Sequence, residues 1–379
     1  MVKRGACVVY WRQIYRFYGG KGAHMRTLYH SVYETLQRVD FPALFSGFHE
    51  FPFALYDHNT VYLPQGEIPY DNRFLGNTAI EFEGGFLAIW NVEEPQKENV
   101  TQLAASLVHE MFHAFQTERG EERYPYDLIG LDYPRTAEVL TAKAAEYALL
   151  SEAFHAADVF KKRDALLRFM AWRKHRQGWM GDIVLQEFLT ETAEGMAEYV
   201  SLKALVDLSE PLYRATTERH LKSLSLDAPT ALDMRRLAYA SGSLFLLALD
   251  GAGLSFAHEV GEEKRTVFEL VSEKIAPEAP PTPQSGTSET ANERVRAYEC
   301  DIEEKFNQFK TLSVEKTEGK FFICGYDPMN MVKQNGKVLC SHFIMLKNAG
   351  GETLFIKGPV LLHMKSGSYN EVTAYVNAD

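Results

Sequence analysis

Within the sequence stands His109-Glu110-Met111-Phe112-His113. Histidines four residues apart share one face of a helix, so both imidazoles can reach a single metal ion. The carboxylate at the second position falls beside the metal's open coordination place, where it can take a proton from bound water. By composition, such a pentad arises by chance in a chain of 379 residues on the order of once in a hundred. The chemistry it points to is metal-assisted hydrolysis. His109 and His113 are the expected zinc ligands and Glu110 the expected general base.

A hydrolytic zinc site needs a third protein ligand. The segment 187–199 carries Glu187, Glu191, Glu194 and Glu198 at helical spacing on one face. A row of acids is ordinarily a solvated face. Against that, Gly195 and Ala197 allow close approach of another backbone. Phe188, Leu189, Met196, Tyr199 and Val200 also keep the segment from being polar all round.

The pentad, followed by a helix carrying Glu194-Gly195-x-Ala197, resembles the gluzincin metallopeptidases, the thermolysin-like and zinc-aminopeptidase clan. The resemblance covers about 78–250. It implies a zincin-like core, Zn2+ as cofactor, and Glu194 as the third ligand, with Glu191 the runner-up. It also implies that Glu198 orients a zinc histidine by accepting a hydrogen bond from its ring, without binding the ion itself. Tyr239, in Tyr239-Ala240-Ser241-Gly242, matches the tyrosine whose hydroxyl stabilises the oxyanion. Two features depart from the clan. Eighty residues separate His113 from Glu194, which fits a helical hairpin inserted at about 135–177. The aminopeptidase G-x-M-E-N signature is missing, and an aminopeptidase is not implied. In its place Gly85–Asn91 is expected as the edge strand that pairs with substrate backbone.

These residues need elements to hold them. Periodicity predicts one helix from Met25 to about Phe45, strands at 54–56, 60–63, 78–82 and 86–92, and the pentad helix from Val100 to about Arg119. Asn99 is its cap and Gly120 its stop. Further helices are expected at 135–156, 158–177 (Asp158 cap, Gly178 stop), from Asp182 to about Val206, and at 233–249, 264–275 and 291–311. A different rhythm of short β-type runs and Gly turns follows from Ser313 to Asp379. The fold class is therefore α+β. Residues 25–275 form the catalytic domain, 276–290 a Pro-rich linker, and 291–379 a helix plus an all-β unit. Residues 1–24 read as a leader, or as upstream of a start at Met25. The basic residues of the hairpin, Lys161 to Arg163 with Arg168, Arg173, Lys174 and Arg176, are expected on a solvated face.

Acids outnumber bases 51 to 40, a formal net charge of −11, which disfavours a nucleic-acid partner. No apolar run reaches membrane-spanning length. Four scattered cysteines suit a cytoplasmic chain. The expected activity is zinc-dependent peptide-bond hydrolysis on a peptide or protein substrate. The alternatives are a catalytically silent zinc-binding protein and a zinc hydrolase of a non-peptide amide or ester.

Overall fold

The computed structural model describes residues 21–254, 260–275, 288–312 and 314–378. Most of the 1–24 segment and of the Pro-rich 276–290 segment lies outside these. The chain divides into two compact units, Met1–Arg119 with Val200–Arg214, and Gly120–Tyr199 with Ala215–Asp379.

In the first unit, α1 (Lys21–Leu36) and the short α2 (Phe41–Leu44) replace the single helix expected to Phe45. The break follows from Asp40, whose side chain accepts the Ala43 N–H, and from Pro42 just inside the new helix. Proline suits a first turn, whereas inside a continuous helix it would lack the N–H for the ladder and clash with the carbonyl four residues back. Five strands follow: β1 (Phe53–Tyr56), β2 (Thr60–Leu63), β3 (Gly66–Pro69), β4 (Thr78–Phe82) and β5 (Gly85–Asn91). The β1–β2 turn is held by Asp57, whose Oδ1 accepts the N–H groups of Asn59 at 2.8 Å and Thr60 at 3.0 Å. The sheet order is β3-β2-β1-β5-β4, with β1 and β5 parallel and the other pairs antiparallel. α3 (Val100–Glu118) packs against β4, β5 and α1. Its first turn is capped by Asn99, which accepts the Gln102 N–H at 3.0 Å. Gly120 follows its end with φ of +71°, a conformation glycine adopts without penalty.

The second unit begins with α4 (Asp127–Gly130) and the helical hairpin α5 (Ala137–His155) and α6 (Val159–Met180). Gly178 does not stop α6. The stop is Gly181, at φ +68°. α7 (Leu185–Leu208) runs through the division at 199/200, and α8 (Glu210–Ser223) follows. Then come α9 (Met234–Gly251), α10 (Val267–Lys274) and α11 (Glu289–Lys310). α5 packs against α6, α9 and α11.

The C-terminal part is a seven-stranded antiparallel sheet of β6 (Val314–Tyr326), β7 (Met331–Gln334), β8 (Lys337–Cys340), β9 (Phe343–Asn348), β10 (Thr353–Lys357), β11 (Val360–Met364) and β12 (Glu371–Ala378), in the order β10-β9-β6-β12-β11-β8-β7. Strand alternation sends its side chains to two faces. Leu339, Leu361 and Val376 pack with Ile302, Phe306 and Phe309 of α11. Val338, Cys340, Ile344, Leu346, Val360 and Leu362 share the opposite cluster with Leu128 of α4. An all-β C-terminal unit is thus present, and it is seated on α4. Among the described residues no helix is long and apolar enough to cross a membrane.

Candidate metal centre

α3 is buried over most of its length, and the burial includes chemistry-bearing groups. His109 is 6 % exposed and Glu110 7 %, low for polar side chains in a helix interior. The rings of His109 and His113 stand edge to face, and their Nε2 atoms are 3.1 Å apart. Two nitrogens bound tetrahedrally at about 2.0–2.1 Å to one zinc would stand about 3.3 Å apart. The observed spacing is close to that. The other ring nitrogen of His113, Nδ1, lies 2.8 Å from Oε1 of the fully buried Gln116. An amide oxygen only accepts, so in this contact the hydrogen belongs on Nδ1, a tautomer that would leave the Nε2 lone pair for an ion. Gln116 was not among the residues expected at the site. Its signal in the sequence is its place three residues after His113, one turn along the same face.

Glu194, on α7, completes the group. One ligand atom each from His109, His113 and Glu194 lie within 4.8 Å of one another. A largely buried His-His-Glu set of this kind can bind a metal ion. Comparison with family models, with curated proteins and with solved structures finds no match. The chemistry must be read from the residues.

Glu194 is not held by its helix alone. Arg235, at the start of α9, donates from Nη2 to Glu194 Oε1 at 2.6 Å and from Nη1 to Asp127 Oδ1 at 2.5 Å. Burial lowers the basicity of Arg235. The carboxylates of Glu194 and Asp127, with Tyr239 nearby, more than reverse this and raise its pKa. Asp127 itself is shifted upward, chiefly by burial and also by Glu194, against the pull of Arg235. Tyr239 lies one helical turn beyond Arg235 on α9 and is half-buried.

The other acids of α7 have different duties. Glu191, the runner-up ligand, is taken by Arg173, with contacts of 2.5 and 2.9 Å, and by the Ser241 hydroxyl. Glu187 accepts from Arg176 through both oxygens at 2.9 Å, from Tyr133, and from Lys143 at 3.2 Å. Glu146 of α5 bridges Arg173 and Arg176. The expected solvated basic face of the hairpin is therefore corrected in part: Lys161, Arg163 and Lys174 are exposed, but Arg173 and Arg176 face inward. Arg173 and Arg176 are fully buried because three cations (Lys143, Arg173, Arg176) meet three carboxylates (Glu146, Glu187, Glu191). Burial opposes ionisation of Glu187, yet Arg176, Lys143 and Arg173 hold its carboxyl well below the usual range.

Glu198 pairs with Nε2 of His220 on α8 at 2.7 Å. The expected edge strand is also corrected. Gly85–Asn91 is β5, flanked by β1 and β4, and the edge on that side of the sheet is β4 at 78–82. The strand run 86–92 is the more apolar of the two, which is why it takes the interior place.

Proposed function

We propose that this chain is a zinc-dependent peptide hydrolase of the gluzincin kind, built on a zincin-like core. One observation carries the reading. The ligand atoms of His109, His113 and Glu194 converge, and the carboxylate next to the first histidine, Glu110, is buried on the same helix. His109, His113 and Glu194 would hold zinc, which when bound supplies a Lewis acid for a carbonyl and for an attacking water.

The remaining chemistry belongs to the chain. Glu110 accepts the proton of the attacking water and passes it to the leaving amine nitrogen. Its burial keeps that proton from exchanging with bulk solvent during the transfer. Gln116 keeps His113 in one tautomer throughout. Tyr239 donates its phenolic O–H to the oxygen on which negative charge develops, a contribution of about 2.7–4 kcal/mol for one such donor. The substrate backbone adds along the β4 edge, where the N–H and C=O groups facing away from β5 can pair with an extended peptide. Cys300, Cys324 and Cys340 are free thiols, which suits action in the cytoplasm.

A panel of unstructured peptides incubated with the full chain tests the proposal. Cleavage is expected, abolished by a chelator and restored by zinc. Cleavage that survives complete zinc removal contradicts the reading, as does the absence of any cleavage by the fully zinc-loaded chain.

A further inference from the structure

Arg235 is placed for a task that charge balance alone does not require. Its two terminal nitrogens are divided between Glu194 and Asp127, while its buried Nε finds no acceptor among the described residues. The orientation of the guanidinium is thus set by the two carboxylates, at the expense of its third donor. A planar fork can bridge two acceptors in this way, whereas an ammonium group cannot fix both directions. Asp127 is itself seated firmly. It opens α4, whose Leu128 is buried in the core of the C-terminal sheet with Leu131 packed against it. Just beyond α4, Asp132 is bound by Lys333 of β7 at 2.6 Å. From the sheet, Tyr326 of β6 lies within the field of Asp127 and Arg235, and burial together with Asp127 pushes its phenol up to about 12.

We propose that Arg235 is a positioning residue: it occupies Oε1 of Glu194 so that the carboxylate meets a metal ion through its other oxygen alone, and the C-terminal sheet holds it there through Asp127. The inference rests on the metal reading above and gives the β unit a part in it. A carboxylate with both oxygens available can swing or chelate, which raises the coordination number and fills the position a substrate needs.

Cobalt(II) reports this directly, because its visible absorption weakens as coordination number rises. The full-length chain is loaded with cobalt, and wild type is compared with Arg235→Gln, Arg235→Lys and Asp127→Asn, with folding followed by circular dichroism. In the Arg235 variants the absorption per bound ion is expected to fall at least about twofold as the second oxygen joins. Asp127→Asn, which leaves the guanidinium in place, should give a smaller change in the same direction. An unchanged cobalt band in a folded Arg235 variant overturns the positioning role while leaving the metal site standing. If neither Arg235 variant folds, an unchanged band in Asp127→Asn overturns it instead. A wild-type chain that binds neither cobalt nor zinc overturns both readings.

Discussion

Gly195 on α7 and Gly242 on α9 meet backbone to backbone. A Cβ built on Gly195 would lie 2.7 Å from Cα of Gly242, and one on Gly242 would lie 2.8 Å from the Glu191 carbonyl oxygen. The contact fixes the helix of Glu194 against the helix of Arg235 and Tyr239. No flexible side chain is available to yield, so Gly195→Ala forces the helices apart. Overpacking of this kind costs about 1–3 kcal/mol and outweighs the gain of about 1 kcal/mol from replacing glycine inside a helix. Urea denaturation should show a lower midpoint for Gly195→Ala. A midpoint above wild type would mean that the approach is looser than described.

The buried charge network makes a second prediction. Removing one partner of a buried ion pair costs about 3–5 kcal/mol, because the other charge is left without compensation. Arg173→Met should therefore destabilise the chain by about that amount, since Glu191 loses its arginine and Glu146 keeps only Arg176. Adding Glu191→Gln to Arg173→Met should recover part of the loss. On the proposed ligand set the double variant should still bind zinc in full, since Glu191 pairs with Arg173 and Ser241 and lies outside the His109-His113-Glu194 group. Additive losses in the denaturation midpoints would show that the two residues do not interact.

A pH dependence follows from Glu121. Burial raises its pKa, but the side chain and backbone N–H of Arg123 and the Gly261 N–H outweigh this and hold it below the usual value. A carboxyl depressed in the folded state is protonated first in the unfolded chain. Its contribution to stability is complete above about pH 4.5, the ordinary glutamate value, and is lost as pH falls through the folded pKa. The denaturation midpoint of wild type should thus fall below pH 5 more steeply than that of Glu121→Gln. Parallel profiles would exclude Glu121 as a source of acid sensitivity.

The residues of the candidate metal group were legible because their geometry is local or carried by resemblance. His109 and His113 need only a helix between them, and Asn99 and Gly120 mark its ends. The glycine at 195 signalled a close helix approach, and Gly242 supplies the other side. What escaped was long-range pairing. Nothing in the spacing of Arg173 or Arg176 says that α7 will bring Glu187 and Glu191 to them, so a solvated face was the natural expectation. Asp127 and Arg235 are likewise 108 residues apart and come together only in the folded chain. The helix break at Asp40, by contrast, was available from Pro42 and was overridden by an apolar stripe that continues past it.

The central claim is that Glu110 moves the proton while His109, His113 and Glu194 hold the ion. The most direct measurement is peptide hydrolysis and zinc content, read together, in Glu110→Gln. The amide keeps the shape of the side chain and removes its ability to accept a proton. Zinc by elemental analysis should remain at one per chain, as in wild type, while cleavage falls at least about 100-fold, the lower end of what general acid–base catalysis contributes. Wild-type cleavage by a zinc-replete Glu110→Gln chain would contradict the account.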